Sequence, residues 1–530
     1  SGHVTGVQTC ALPILKKYPV GIQSFESLRK GGYLYIDKTE LIYRLISTGK
    51  YYFFSRPRRF GKSLLISTLE AYYSGRKELF QGLFINEVEN DWNSYPILHF
   101  DLNAQKYDSP ESLNDILNDI LVKWEKLYGT EPSEVSLSLR FQGIIQRAAE
   151  KTGKSVVILV DEYDKPMLQA IGNNDLQNTY RDTLKAFYGA LKSKDQYIQF
   201  ALLTGVTKFS KVSIFSDLNN LMDISFDKRY AELCGITENE IHTWLEEDLH
   251  ELSVNTNMSY DQVCKCLKER YDGYHFTEDS NGLYNPFSLL NTFARMKFGN
   301  YWFETGTPSY LAQLLKQNKY NLTRLSNEVV TSDLLNGVDT LINSPIPVLY
   351  QSGYLTIKSY NSRFNVYTLG FPNKEVEEGF ISYLLPYYAH VQPAESAFQI
   401  MNFIEEVEKG EIDAFFLRLK SFFADTPYEM IRDLELHYQN VLFILFKLLG
   451  FYTEVEYHTS EGRIDLLIKT SKFIYLMEFK LEGTAEEALA QINEKHYVTP
   501  FQVDRRKVFK IGVNFSNKTR NIQKWIVEEV

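Results

Sequence analysis

Cysteine is nearly absent from this chain, with four thiols in 530 residues: Cys10, Cys234, Cys264 and Cys266. A disulfide framework is excluded, and Cys264-Lys-Cys266 has no second pair to complete a zinc site. Reduced thiols suit a reducing compartment, so a cytoplasmic setting is expected. Long apolar runs are missing too. The longest, Val441-Leu-Phe-Ile-Leu-Phe446, stops at Lys447, far short of the ~20 residues that a membrane span needs. No Pro/Gly/Ser-rich linker and no internal repeat appears, so domains that pack rather than swing are expected. An excess of positive charge is also lacking. The net charge of −10 argues against a surface coated for nucleic acid, though not against a local basic groove. The first residues carry no charged n-region and no real apolar h-region, so they are no signal peptide. Residues 1–17 are expected to be a non-native or disordered leader.

What is present describes a soluble globular protein, 44% apolar and 23% charged. Its length exceeds what one core can serve and predicts about three or four domains. The most informative stretch is Arg56-Pro-Arg-Arg-Phe-Gly-Lys-Ser63. It follows the apolar run Tyr51–Phe54 and precedes the helical pattern Leu64–Tyr72. Strand, tight loop and helix are the context of a phosphate-binding loop. Backbone N–H groups at the helix start, with the helix dipole, hold anionic phosphate. Lys62 adds a point charge at the β/γ-phosphates, and the Ser63 hydroxyl ligates Mg²⁺. About a hundred residues later Val156-Val-Ile-Leu-Val-Asp-Glu162 reads as a buried parallel strand opening at a ligand crevice. Asp161 then binds Mg²⁺ through its shell, and Glu162 polarises an attacking water. One position departs from the usual loop: Arg56 and Pro57 stand where glycine is expected. Arg56, Arg58, Arg59 and Lys62 concentrate positive charge there, which suits an anion whatever the loop shape. A basic turn that binds nothing is the competing reading.

Along the chain, candidate strands at Tyr51–Phe54, Ile97–Leu102, Val156–Val160 and Ile198–Thr204 alternate with candidate helices. The helices include Thr39–Ile46, Ser63–Tyr73, Ser112–Leu127 and Thr179–Ser193. Alternation of this kind predicts an α/β fold with a parallel sheet covered on both faces. Thr204 ends the fourth strand, where its hydroxyl either senses the γ-phosphate or only closes the strand. Residues 231–345 read as mostly helical and aromatic-rich, with a capping box at Thr237-Glu-Asn-Glu240. Arg229 is a conceivable sensor or finger, with nothing local to prefer that role. Around Leu349–Ile357 and Asn365–Leu369 a helix end followed by a β-hairpin predicts a winged-helix-like unit over 346–425.

The last hundred residues carry a second constellation. Gly462-Arg-Ile-Asp465 opens a strand Arg463–Lys469, and a short turn at Ser471-Lys472 leads into Phe473-Ile-Tyr-Leu-Met-Glu-Phe-Lys480. A hairpin about that turn pairs position i with 943 − i, setting Asp465 opposite Glu478 and Arg463 opposite Lys480. Directly paired residues have Cβ atoms ~4.5–5.5 Å apart, close enough for two carboxylates to share one cation. Glu478 and Lys480 share a face. Two acids and a lysine converging this way meet the needs of metal-assisted phosphodiester hydrolysis. A helix beginning near Thr484 brings Gln491 toward the same edge. A salt-bridged pair of strands on a solvated face is the alternative, although facing acids are destabilising without a cation. From Asn440 to Val530 there are 13 Lys/Arg against 12 Asp/Glu, a near-neutral segment in an acidic chain. Arg505-Arg-Lys507 and Lys510 suit a phosphate backbone or a solvated edge equally.

Taken together, five strings resemble the bacterial AAA-ATPase-like family. They are Tyr18-Pro-Val-Gly-Ile-Gln-Ser-Phe25, Tyr35-Ile-Asp-Lys-Thr39, Ser55-Arg-Pro-Arg-Arg-Phe-Gly-Lys-Ser-Leu64, Leu159-Val-Asp-Glu-Tyr-Asp164 and Thr204-Gly-Val-Thr-Lys-Phe-Ser210. Members commonly end in a PD-(D/E)XK nuclease-superfamily domain, and in them an Arg-Pro string replaces the loop glycine. The resemblance covers nearly all of 18–525. It implies a P-loop domain over 18–230, a helical lid over 231–345, the winged-helix-like region, and a restriction-endonuclease-like α/β domain over 426–530. By match it implies the phosphate and Mg²⁺ residues at Lys62 and Ser63 and the second acidic motif at Asp161 and Glu162; nucleotide contacts are expected over Arg58, Arg59, Phe60, Gly61, Lys62, Ser63 and Leu64, and at Asp161 and Thr204. Metal ligands are implied at Ser63, Asp161, Asp465 and Glu478. Catalytic roles are implied at Glu162, Asp465, Glu478, Lys480 and Gln491.

The expectation is an ATP-binding ATPase, using ATP and Mg²⁺, whose C-terminal domain is a metal-dependent nuclease. Its partners are expected to be nucleic acid, DNA before RNA, with homo-oligomers allowed and no membrane. Two readings compete. One is an ATP-driven switch whose last domain only docks. The other is an ATPase with a vestigial nuclease fold.

Overall fold

The computed structural model describes residues 15–209, 214–335, 344–424 and 433–530. Most of the expected leader, Cys10, Ser210 and the expected boundary at 425/426 lie outside the described residues. The chain divides into two compact units. One holds the described residues up to Trp302 together with Gln351–Gly353, the other the described residues from Phe303 onward apart from those three.

In the first unit, strands β1 (Tyr51–Ser55), β2 (Ile97–Asp101), β3 (Val156–Asp161), β4 (Ile198–Gly205) and β5 (Met222–Asp223) form one sheet in the order β2-β3-β4-β1-β5. Every pair is parallel. Parallel strands need crossovers, which here carry helices Lys62–Tyr73, Pro110–Tyr128, Leu137–Thr152 and Asn174–Tyr188. With both faces covered, β1 and β3 are buried at every residue, hence their continuous apolar runs. The expected helix Thr179–Ser193 begins earlier, at Asn174, because the Asn173 side chain accepts from Leu176 N. At its far end Gly189 separates it from the short helix Ala190–Ser193.

Downstream, β6 (Ile236–Thr237) and β7 (Leu283–Tyr284) form a two-stranded antiparallel ladder. Helices Glu238–Trp244, Glu246–Thr256, Tyr260–Tyr271 and Pro286–Arg295 surround it. The capping box at Thr237 and Glu240 is present. These helices share a core of Ile241, Leu249, Leu267, Tyr271 and Phe293, against which Tyr18, Leu34 and Ile36 pack.

The second unit holds β8 (Glu328–Thr331), β9 (Thr356–Asn361) and β10 (Val366–Gly370), antiparallel in the order β8-β10-β9. The hairpin is where the sequence places it; its third strand, β8, is an addition. Helices then lead to Leu434–Gly450, which contains the run Val441–Phe446. Burial on nearly all sides makes that run a core helix. No helix among the described residues is long and apolar enough to cross a membrane.

The last sheet runs in chain order: β11 (Glu454–Ser460), β12 (Arg463–Lys469), β13 (Phe473–Lys480), β14 (Lys507–Ser516) and β15 (Asn521–Glu529). Only β13 and β14 are parallel, joined through helix Ala485–Glu494. The β12–β13 register obeys the expected sum, with Asp465 opposite Glu478 and Arg463 opposite Lys480. Gly512 lies beside Glu478 on β14. A Cβ at Gly512 would sit 2.3 Å from Ala485 O and 2.6 Å from Leu489 N. The crossover helix rests on this glycine, and that contact sets the helix over the Asp465–Glu478 row. Gly512→Ala is expected to destabilise this unit by about 1–3 kcal/mol, measured by urea unfolding; wild-type stability would show that the helix does not need so close an approach.

Candidate active sites

The loop Arg56–Gly61 leaves the C-terminal end of β1 and enters helix Lys62–Tyr73. Gly61, at φ 103°, occupies the N-cap position, and Arg59 is also left-handed at φ 64°. A Cβ at Gly61 would strain that backbone. No side chain caps the helix, so its first N–H groups are left for an anion. Lys62 is buried, and its ammonium donates to Arg56 O at 2.9 Å and Pro57 O at 3.0 Å.

Two strand ends and the start of a helix meet at Asp161. Ser63 Oγ donates to Asp161 Oδ2 at 2.5 Å, and Thr204 Oγ1 donates to Asp161 Oδ1 at 3.0 Å. Thr204 is fully buried and also reaches Val160 O. Its hydroxyl thus orients the carboxylate in this structure. Glu162 follows at a left-handed φ of 55°. Burial raises its pKa to about 7, with Asp164 and Asp161 adding to the rise and the Lys62 charge opposing it. Asp164, wholly buried, accepts from Val206 N, Thr207 N and Thr207 Oγ1. It clamps the end of β3 to the loop after β4.

The arginines do not form a loose cationic cluster. Arg56 is buried, its guanidinium 4.5 Å from the Phe54 ring centre and 4.1 Å from that of Phe276. It donates to Ser55 O and Ser225 O, which pins the loop. Arg58 lies 3.9 Å over Trp302 and Arg59 5.2 Å over Phe287. Phe60 is buried edge-on against Tyr274 and Phe276, which leaves its backbone as the part available to a ligand. Leu64 lines an apolar cavity of about 100 Å³ beside Gly61, with Pro19, Ile36, Cys234 and Leu290 among its walls. Arg229 is bound to Asp227 at the surface.

In the C-terminal sheet Glu478 is fully buried and Asp465 is partly exposed. Glu478 Oε1 and Oε2 and Asp465 Oδ1 have no hydrogen-bond partner among the described residues. Burial, then the facing Asp465 charge, pushes the Glu478 carboxyl up to about 7, opposed by Arg463, Lys480 and Lys495. Lys480 Nζ stands 4.0 Å from Glu478 Oε1. Gln491 lies on the crossover helix, half-buried, two turns beyond its Thr484 cap.

Comparison with known proteins agrees with both halves. Residues 19–215 match the family described as "Predicted AAA-ATPase", and residues 433–525 match the "PD-(D/E)XK nuclease superfamily". A curated protein of Azotobacter chroococcum mcd 1, "Uncharacterized protein in vnfD 5'region", is 34% identical over 527 residues, or 97% of this chain and 99% of the relative. The chain belongs to the AAA-ATPase-like family with a C-terminal PD-(D/E)XK domain.

For an AAA-ATPase-like protein the groups around Gly61 fit ATP with Mg²⁺. There is an uncapped helix start, a lysine beside it, and a serine and an aspartate with converging oxygens. The PD-(D/E)XK half fits a divalent cation less completely. Its two carboxylates face each other with orphaned oxygens, which fits. Among the described residues no group of three or more His, Cys, Asp or Glu could hold a metal. Magnesium tolerates this, because it is often held by one or two carboxylates with water and substrate phosphate completing the shell. The apolar cavity escaped the sequence reading because its walls come from segments more than two hundred residues apart.

Proposed function

We propose that this protein binds and hydrolyses ATP–Mg²⁺ at the Gly61–Ser63 loop and cuts a nucleic-acid phosphodiester at Asp465, Glu478 and Lys480. The proposed division is an ATPase over 18–230, a helical relay over 231–345, a winged-helix-like region over 346–425 and a nuclease over 426–530. In the ATPase, Lys62 leaves its two carbonyls for the β/γ-phosphates. Ser63 and Asp161 hold the cation, Glu162 orients water, and the cavity beside Gly61 takes the purine. Arg58, Arg59, Phe60 and Leu64 shape the loop and cavity around the nucleotide, with Thr204 fixing Asp161.

In the nuclease the observation that carries the reading is the facing pair Asp465 and Glu478, with carboxylate oxygens that have no hydrogen-bond partner among the described residues. An ionised pair this close has no structural benefit of its own. These carboxylates would hold Mg²⁺, which when bound lowers the pKa of water and offsets charge on phosphate. Lys480 positions the water, with Gln491 beside it. The water oxygen bonds to phosphorus, the P–O bond to one sugar breaks, the water proton leaves to solvent, and the departing oxygen takes a proton. DNA is the preferred substrate, in a cytoplasmic setting, with the nucleotide state governing cleavage and homo-oligomers allowed.

Cleavage of labelled single- and double-stranded DNA and RNA, with Mg²⁺ or Mn²⁺ and with or without ATP, tests this. Metal-dependent cutting that responds to ATP is expected. ATP turnover with no cutting under any condition would instead favour the docking switch or the ATPase with a vestigial fold.

A further inference from the structure

One cation at the nuclease site is assigned no role by the reading above. Arg463 begins β12, directly opposite Lys480 on β13 and Ser460 on β11. Directly paired residues point to one face of a sheet, so Arg463 and Lys480 form a row beside the Asp465–Glu478 row. Its guanidinium Nη2 is 3.7 Å from Asp465 Oδ2, and its Nε is 3.9 Å from Glu478 Oε1. Both separations exceed a hydrogen bond. The Nε atom is buried and has no hydrogen-bond partner among the described residues. Buried donors are seldom left this way. Arg463, Lys480, Asp465 and Glu478 thus form a cluster of four charges, held apart at 3.7–4.0 Å in the contacts between cations and carboxylates.

Charge counting shows what fits between them. A divalent cation on the two carboxylates balances them and leaves Arg463 and Lys480 uncompensated. The second missing group is therefore an anion. A guanidinium presents a planar fork that matches two oxygens of one phosphate, whereas an ammonium is a point charge. We propose that Arg463 binds the phosphodiester to be cut, gripping its non-bridging oxygens, while Lys480 is left to face the water. This rests on the nuclease reading. It makes Arg463 a substrate-binding residue that recognises phosphate and no particular base, so affinity from this contact is independent of sequence.

Binding of a fluorescein-labelled DNA duplex with Ca²⁺ at the carboxylates, read by anisotropy over a salt series and with the duplex checked to be intact by gel, tests the proposal. The full-length protein is compared with Arg463→Gln and Arg463→Lys, and Mn²⁺ binding is followed in parallel by electron paramagnetic resonance. Arg463→Gln is expected to weaken the duplex about tenfold and to reduce the slope of log K against log salt by about one. Arg463→Lys is expected to fall between, because it keeps charge and loses the fork. Mn²⁺ binding is expected to persist in both variants. Unchanged duplex affinity and slope in both, with a wild type that binds, would overturn the role of Arg463 and leave the nuclease reading standing. A wild type that binds Mn²⁺ through Asp465 yet no nucleic acid would overturn the substrate reading and the role of Arg463 together. If Arg463→Gln fails to fold, Arg463→Lys still decides, since a purely structural cation would show wild-type affinity and slope.

Discussion

Lys62→Ala is expected to lose ATP affinity by at least about a hundredfold, and with it hydrolysis. Three features make the effect large. The ammonium is buried and already holds Arg56 O and Pro57 O, so it stands at the loop that must receive phosphate. It faces the acids Glu162 and Asp164, and its charge opposes the rise in their pKa values. Without it the site would present carboxylates to an anion. The helix start remains as a donor set, but N–H groups alone carry only part of the attraction.

Glu162→Gln should separate binding from chemistry in the same assay. The amide keeps the shape and removes the group that orients water, so ATP binding is retained and turnover falls about 10²–10⁴-fold. Isothermal titration with ATP–Mg²⁺ and a phosphate-release assay on both variants decide the matter. Full ATP affinity in Lys62→Ala would place the nucleotide elsewhere, and undiminished turnover in Glu162→Gln would remove Glu162 from the chemistry.

The elements that the sequence exposes are those governed by local pattern. The β12–β13 register follows from a short turn, since an antiparallel pair fixes every partner once its turn is placed; hence Asp465 opposite Glu478 was legible. The buried strands around β3 were legible because a covered parallel sheet demands unbroken apolar runs. What escaped depends on distant segments. Arg56 looks like an anion-seeking charge in the string Arg56–Lys62, yet Phe276 closes over it from more than two hundred residues away. Strand β5 is two residues long and forms only as an edge on β1, and β8 exists through its pairing with β10. The orphaned Arg463 Nε is a matter of ångströms that no spacing reveals.

Asp465→Asn is expected to abolish cleavage while making the protein more stable in EDTA above neutral pH. The two effects share one cause. The Asp465 charge helps hold the Glu478 carboxyl at about 7, which means the folded state binds a proton there more tightly than the unfolded chain does. A raised carboxyl contributes stability below its unfolded pKa and loses it as pH rises through the folded value. Wild type should therefore weaken between pH 5 and pH 8, by up to about 3 kcal/mol from this group. Asparagine removes the facing charge, lowers the Glu478 pKa, and returns about 1 kcal/mol at pH 8. At pH 5, where Glu478 is protonated in either protein, that benefit shrinks. Mn²⁺ reverses the order, because the carboxylate pair that repels itself when empty is what would bind the ion, so the cation should raise the unfolding midpoint of wild type and not of the variant. Urea unfolding at the two pH values, with EDTA or Mn²⁺, reads all of this without an activity assay. A variant no more stable than wild type at pH 8 in EDTA would mean that Asp465 and Glu478 are held for structure. Retained cleavage would take Asp465 out of the active site.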